Sequence, residues 1–239
     1  MNIYTAQKLC LAGITRTARA AMLADATLHH IHRNIYIDEA PTPERVARAL
    51  IQGLAQVALT GKTAIEFYNN QPLTFPIELE GPRTIRGKNF YVKHSRLDRV
   101  DVRDGMRVVH PLSAARAIPR GTERALERFY SGPVGKRKFL QDVARSRRVS
   151  ARLRSLLQRI SIGADTWGER ILGRQLRACG LTVEHNVRML GYRFDLVLGK
   201  YGIVVEIDGW EYHKSLDSFI CDRWKTSNAS ASGFVVLRF

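Results

Sequence analysis

The chain has 239 residues, 45% of them hydrophobic and 25% charged, which is typical of one large globular domain or of two to three small ones. A formal net charge of +16 indicates a polyanionic partner, and nucleic acid is the first candidate. No apolar stretch resembles a membrane span or a signal peptide, so the sequence predicts a cytoplasmic protein without a membrane partner. Three cysteines lack disulfide or zinc-site spacing and are expected to be reduced and largely buried: Cys10, Cys179 and Cys221.

The positive charge is concentrated in the N-terminal two thirds of the chain. Residues 164–239 contain ten Lys or Arg and nine Asp or Glu, whereas residues 1–163 contain 28 and 13. Only the N-terminal part is therefore expected to attract phosphate strongly. The sequence predicts a multidomain α/β (α+β) protein with three parts: a winged helix-turn-helix over 1–40, a basic mixed α+β region over 41–163, and an α/β domain over 164–239.

The first forty residues predict two helices followed by a β-hairpin. Residues 4–11 form a short amphipathic stretch, and Thr15 is a suitable N-cap for a second helix that ends near Asp25. The hairpin turn falls at Arg33 and Asn34. In a winged helix-turn-helix the second helix lies in the major groove, and a helical hairpin that serves only packing is the alternative. The candidate DNA contacts on this helix are Arg16 and Arg19.

The middle region changes from helix to strand and back to helix. Residues 41–59 have apolar side chains at helical spacing, residues 74–112 are rich in strand formers, and residues 112–160 predict helices again. Residues 136–159 contain nine basic residues and one acid, which indicates a surface that contacts phosphate. A merely solvated helical face is the alternative. The candidate DNA contacts are Lys136, Arg137, Lys138, Arg147 and Arg148.

Residues 164–239 predict the element order α-β-β-β-α-β. The helices cover 166–179 and 215–231, and the strands cover 183–189, 192–198, 203–207 and 234–239.

The second and third of these strands form a hairpin that brings two acids together. If Leu198 pairs with Ile203, Asp195 lies opposite Glu206. One face of the hairpin is then wholly apolar and is expected to be core: Phe194, Leu196, Leu198, Ile203, Val205 and Ile207.

The opposite face of the hairpin also places Arg193 opposite Asp208. Like charges at facing positions destabilise a sheet by a few tenths to about 1 kcal/mol. A divalent cation bound by the carboxylate oxygens would compensate for this repulsion. The alternative is a solvated pair of acids, with Arg193 bound to one of them.

These acids belong to a longer pattern that resembles a known nuclease group. Asp195 precedes Val205-Glu206-Ile207-Asp208-Gly209, Tyr212-His213, Asp222-Arg223 and Val236-Leu237-Arg238-Phe239. This pattern resembles the small domain related to very-short-patch-repair endonucleases, in the PD-(D/E)xK superfamily. The resemblance implies a restriction-endonuclease-like core with a mixed sheet flanked by helices, an Mg²⁺ or Mn²⁺ cofactor and double-stranded DNA as substrate.

The resemblance also implies roles for individual residues. It implies that Asp195 and Glu206 are metal ligands, Asp208 a third acid of the site, His213 a general base or water-positioning group, and Glu169 an acid from the first helix. Two of these residues have ordinary alternatives. Glu169 completes a capping box with Thr166, and His213 beside Trp210 and Tyr212 fits a surface or core-edge histidine.

One position departs from the superfamily pattern. Asp208 stands where the usual lysine would follow the glutamate, so the cationic group expected near the phosphorus is missing there. Lys214 or Lys225 would have to substitute from a neighbouring element.

The N-terminal and middle regions resemble the AbiEi-type antitoxin and transcriptional-regulator family, on Gly13–Ala18 through His32–Tyr36 and more loosely on Val92–Arg96 and Asp104–Val109. The resemblance implies DNA binding, with a toxin-like partner or a second copy of the chain as the expected associate. The sequence therefore predicts a metal-dependent DNA endonuclease delivered by a basic region. The alternatives are a non-catalytic regulator of antitoxin type with an inactive nuclease fold, and a structural nucleoprotein component. A role in phage defence or repair follows from the family analogy alone.

Overall fold

The computed structural model describes residues 1–97, 99–146, 149–208 and 216–239, and describes 216–219 by their backbone only. Its contacts divide the chain into two compact units, Met1–Ala125 and Leu126–Phe239. No helix in these ranges combines the length and apolar content that crossing a membrane requires. Several predicted site residues lie outside the described residues, namely Arg147, Arg148, His213 and Lys214.

The first unit begins with a small sheet and two helices. The elements are β1 (Ile3–Thr5), α1 (Ala6–Leu11), α2 (Arg16–Ala24), β2 (His29–His32) and β3 (Ile35–Ile37), and the strands pair antiparallel in the order β1-β3-β2. The Thr15 side chain accepts a hydrogen bond from the Ala18 backbone and caps α2, as predicted. Tyr4 is part of β1 and pairs with Tyr36, so the first helix begins two residues later than predicted.

A second, six-stranded mixed sheet fills the rest of this unit. Its helices are α3 (Pro43–Gly53), α4 (Gly61–Tyr68) and α5 (Pro111–Ala114), and its strands are β4 (Ala58–Leu59), β5 (Ile77–Gly81), β6 (Ile85–Arg86), β7 (Phe90–His94), β8 (Val100–Arg103) and β9 (Met106–Val109). The strand order is β6-β7-β5-β4-β9-β8. The predicted β-rich stretch is therefore confirmed. Thr42 caps α3, and this helix buries Val46, Leu50 and Ile51.

The second unit contains the basic helices and a four-stranded sheet. Helix α6 (Thr122–Phe129) contains the boundary between the units, which falls between residues 125 and 126. The elements that follow it are α7 (Gly132–Arg145), α8 (Ala151–Arg159), α9 (Trp167–Ala178), β10 (Glu184–Met189), β11 (Tyr192–Leu198), β12 (Ile203–Glu206), α10 (Leu216–Ala231) and β13 (Val235–Arg238). The order β10-β11-β12-β13 is antiparallel except for the parallel pair β12 and β13. The predicted sequence α-β-β-β-α-β is confirmed for residues 167–238.

Each face of the four-stranded sheet packs its own apolar cluster. Leu196, Leu198 and Val205 pack with Leu172 and Leu176 of α9. The second cluster contains Phe194, Val197, Val204 and, from α10, Ala229. Phe194 was expected on the face of Leu196, and this expectation is wrong. The β10–β11 pairing continues past Phe194 but skips the position of Asn186 and Asp195, where Asn186 has a φ of 50°, and the side-chain alternation is interrupted there.

The predicted burial of the cysteines is also wrong. Cys10, Cys179 and Cys221 are free thiols, as expected, but all three are exposed. The reason is their position on the helices, because Cys179 is the C-cap of α9 and the other two lie on exposed faces of α1 and α10.

Candidate metal site at the end of a strand pair

The pairing of β11 with β12 has the predicted register. Leu198 pairs with Ile203, Val197 with Val204, and Leu196 with Val205. The next positions along the two strands are Asp195 and Glu206, and there the backbone pairing ends. These two acids therefore lie where β11 and β12 separate.

Both carboxylates bond to the main chain of the facing strand. The Asp195 backbone N–H donates to Oε1 of Glu206 at 3.3 Å, and the Ile207 N–H donates to Oδ2 of Asp195 at 2.9 Å. The side chains thus replace backbone acceptors at the end of the ladder. The structure brings Asp195 and Glu206 together, as the sequence predicts.

A lysine from α10 joins the pair. Lys225 Nζ donates to Oε2 of Glu206 and forms an ion pair with it, and the same ammonium group lies 4.7 Å from the centre of the Phe194 ring. Burial raises the pKa of Glu206, and the negative charge of Asp195 raises it further, while the hydrogen bond from Lys225 lowers it. Negative charge at Glu206 is therefore disfavoured unless a cation lies close to it.

Glu169 lies at the start of α9 and performs the predicted capping role. Its two carboxylate oxygens accept from the Thr166 N–H at 3.1 Å and from the Asp165 N–H at 3.0 Å, and its own N–H donates to the Thr166 hydroxyl. Only 3% of Glu169 is exposed. Burial raises its pKa, and the charge of Asp195 raises it as well, so Glu169 lies within electrostatic range of Asp195. The capping box is confirmed, and a second role at the site stays a prediction.

Asp208 and Arg193 have partners other than those expected. Asp208 accepts two hydrogen bonds from Arg238 of β13, at 2.8 and 3.1 Å, and Arg193 lies 3.7 Å from Asp165. The structure does not place Asp208 in one group with Asp195 and Glu206. Within residues 1–97, 99–146, 149–208 and 216–239, no three His, Cys, Asp or Glu side chains form a cluster that could hold a metal ion. The predicted three-acid site is not found in that part of the chain.

Arg238 lies next to the carboxylate site, and the sequence did not predict it there. It pairs with Glu206 in the parallel register of β12 and β13 and lies 3.7 Å from Asp222. The closing Val-Leu-Arg-Phe stretch was the available signal. A parallel fourth strand beside β12 would have placed its arginine next to these acids.

The predicted DNA contacts occupy several different environments. In the first unit, Arg16 is the exposed first residue of α2 and Arg19 stacks over the Tyr36 ring. In the second unit, Arg137 is exposed on α7, whereas the ammonium group of Lys138 lies 4.0 Å from the Phe129 ring centre. Lys136 donates to the His185 carbonyl at 2.9 Å.

Comparison with known proteins gives a weak structural similarity and no family. The chain matches no protein family and no curated protein. Among solved structures it is similar to the catalytic domain of the homing endonuclease I-Bth0305I, with 21% identity over 31% of this chain and 76% of that domain. The TM-score of this match is 0.27. A match of this strength assigns no family to the chain, and the carboxylate site is described by its own residues.

Proposed function

We propose that the chain is a metal-dependent endonuclease that hydrolyses phosphodiester bonds of DNA. The observation that carries this proposal is the pair of carboxylates, Asp195 and Glu206, at the open end of the ladder between β11 and β12. A buried acid, Glu206, beside a half-buried one, Asp195, serves no packing purpose at the end of an apolar hairpin, and it requires positive charge nearby.

The residues present fit a hard divalent cation. Mg²⁺ is commonly bound by one or two carboxylates together with waters and substrate phosphates, so a pair of acids is sufficient without a third. Asp195 and Glu206 would be the ligands. The raised pKa of Glu206 indicates a place where added positive charge is favourable. Bound Mg²⁺ or Mn²⁺ would polarise a phosphoryl oxygen and lower the barrier to attack by water.

Lys225 would provide the cationic group that position 208 lacks. Its ammonium group is already bound to Glu206 and lies over the Phe194 ring, which fixes its direction. A fixed positive charge at this place would stabilise the negative charge that develops on a phosphate under attack. His213 as a general base and Glu169 as a further ligand remain predictions.

The basic residues would deliver the site to duplex DNA. The candidate contacts are Arg16 and Arg19 in the first unit, with Lys136, Arg137, Lys138, Arg147 and Arg148 in the second. Contacts of this kind are made with phosphates and carry little sequence information. A winged helix-turn-helix role for the first forty residues belongs to the same proposal.

A non-catalytic, DNA-binding regulator of antitoxin type is the second candidate. The ion pair between Lys225 and Glu206 favours it, because the lysine already neutralises the buried acid without a metal. A toxin-like partner or a second copy of the chain would then be the functional associate. In this case the protein would bind DNA with the same basic residues and would leave it intact.

Incubation with supercoiled plasmid distinguishes the two functions. We expect nicking in Mg²⁺ or Mn²⁺ that stops in EDTA and falls at least about a hundred-fold in Glu206→Gln, since a lost metal contact removes several kcal/mol of stabilisation. Glu123→Gln removes one exposed carboxylate from α6 and is the matched control, which should nick normally. Retarded but uncut plasmid, equal for wild type and Glu206→Gln, would favour the regulator. Nicking that Glu206→Gln leaves unchanged would exclude this site.

A further inference from the structure

The second unit contains a cavity that is separate from the carboxylate pair. Its volume is about 530 Å³, within the range of small-molecule and cofactor sites, and its lining comes from α7, α8, the end of α9 and β10. Neither Asp195, Glu206 nor Lys225 lines it. The cavity is therefore not a part of the proposed catalytic site.

The walls of the cavity are apolar, and its charged lining residues are three basic groups and one acid. Phe139 and Leu157 are partly exposed wall residues, and Leu140 is 61% exposed on the same side of α7. Lys136, Arg159 and Arg177 line the cavity together with Glu184, whose carboxylate lies 3.5 Å from the Lys136 ammonium group. A ligand that complements this lining has a flat apolar part and a negatively charged part.

A buried histidine adds a polar group to the lining. His185 is 1% exposed, and its Nδ1 has no hydrogen-bond partner within the described part of the chain. Arg177 lies 3.3 Å from the other ring nitrogen and can only donate, so Nε2 accepts and Nδ1 carries the proton. Burial lowers the pKa of His185 to about 3, and the ring is neutral. The ring N–H is therefore a buried donor in the wall of the cavity, with no acceptor among the described residues.

We propose that this cavity receives one unpaired nucleotide of DNA. The base would lie against Phe139 and Leu157, while its phosphate would face Arg159 at the rim. Base stacking on aromatic rings and phosphate contacts with basic side chains are the usual means of binding an unstacked nucleotide. DNA is favoured over a small apolar anion because the positive charge continues along α7 and α8 beyond the rim.

This inference deepens the proposed function, on which it rests for the choice of DNA as the ligand. It adds the structural feature that the protein selects, namely a site where one base is unpaired. The experiment measures binding in EDTA, so its result does not depend on whether the carboxylate pair hydrolyses DNA.

Fluorescence anisotropy compares two labelled duplexes that differ by one extra, unpaired adenine. We expect the wild type to bind the bulged duplex about tenfold more tightly, the order that stacking of one base provides. Thr182→Trp fills the cavity from an exposed lining residue, and Arg159→Ala removes a rim charge. Each should reduce the preference to about twofold or less. Arg137→Ala removes an exposed charge of α7 outside the lining, and it should weaken both duplexes equally.

Equal affinity of the wild type for the two duplexes would overturn the proposal. A preference that survives in Thr182→Trp, with the fold verified by circular dichroism, would also overturn it. Competition with free dAMP and with decanoate distinguishes a nucleotide from a small apolar anion as the ligand of the cavity. Displacement of the bulged duplex by dAMP supports the proposal, whereas binding of decanoate without any preference between duplexes would assign the cavity to a small apolar anion.

Discussion

Replacement of Lys225 by Met tests whether its charge stabilises the paired carboxylates. Methionine retains an unbranched apolar stem over the Phe194 ring and removes the ammonium group that binds Glu206. Glu206 then keeps a buried carboxylate beside Asp195 without its lysine partner. The variant therefore isolates the electrostatic contribution from most of the packing contribution.

The expected magnitude follows from the burial of the pair. Loss of one partner from a fully buried ion pair costs about 3 to 5 kcal/mol, and a hydrogen bond to a charged group contributes about 1.5 to 3 kcal/mol. The side chains of Lys225 and Glu206 are 14% and 11% exposed, so solvent reaches both of them to a small extent. We expect the free energy of unfolding of the second unit to fall by about 2 to 3 kcal/mol at neutral pH.

The loss should depend on pH in a defined direction. Burial raises the pKa of Glu206 above its ordinary value of 4.5, and removal of Lys225 raises it further because the lysine lowers it. A carboxyl group whose pKa is raised by folding contributes stability that is complete below 4.5 and is lost as the pH rises through the folded-state pKa. The penalty of Lys225→Met should therefore be small below pH 4.5 and complete at neutral pH.

Urea titration followed by tryptophan fluorescence measures this penalty for the second unit alone. All three tryptophans of the chain lie there, at positions 167, 210 and 224. Lys200→Met removes an exposed lysine and is the matched control, with an expected change within about 0.5 kcal/mol. In a Glu206→Gln background, Lys225→Met should cost less than about 1 kcal/mol. A penalty that is the same at both pH values and in that background would refute the electrostatic explanation.

Three further predictions concern the same unit and the thiols. Thr166→Ala should lower the free energy of unfolding by about 0.5 to 2 kcal/mol because the capping box of α9 is lost, and Thr166→Ser should restore most of it in the same urea titration. Mn²⁺ at about a hundred times its dissociation constant should stabilise the wild type by about 2.7 kcal/mol in thermal unfolding, and an equal gain in Glu206→Gln would place the cation elsewhere. Ellman's reagent should modify Cys10, Cys179 and Cys221 of the folded protein without denaturant, because all three are exposed. A requirement for urea would contradict that exposure.

Local signals in the sequence identified the elements and the central part of the site. Thr15 and Thr166 are caps because a hydroxyl three residues before a free backbone N–H can accept from it, whatever the rest of the fold does. The tight connection between β11 and β12 fixes the register, and the register alone places Asp195 next to Glu206.

Contacts between segments distant in the chain could not be predicted from local sequence patterns. The strand that contains Tyr4 exists because it pairs with Tyr36, which lies 32 residues later, and no short-range pattern encodes that pairing. Asp208 pairs with Arg238 instead of the expected Arg193, because β13 joins the sheet parallel to β12 through the α10 connection. Phe194 lies on the other face because the alternation is interrupted at Asn186 of β10, whose φ is 50° and which the register places opposite Asp195.

The start of α9 has a consequence for any ion that recruits its glutamate. Glu169 commits both oxygens to the backbone N–H groups of Asp165 and Thr166, so coordination through that carboxylate would free these donors and fray the first turn of the helix. If Glu169 is a ligand, binding of a metal ion at Asp195 and Glu206 would therefore reduce the order of the first turn of α9. Hydrogen exchange at the amides of Asp165 and Thr166 would speed up on metal addition if Glu169 is a ligand, and would slow down or stay constant if only the strand carboxylates bind.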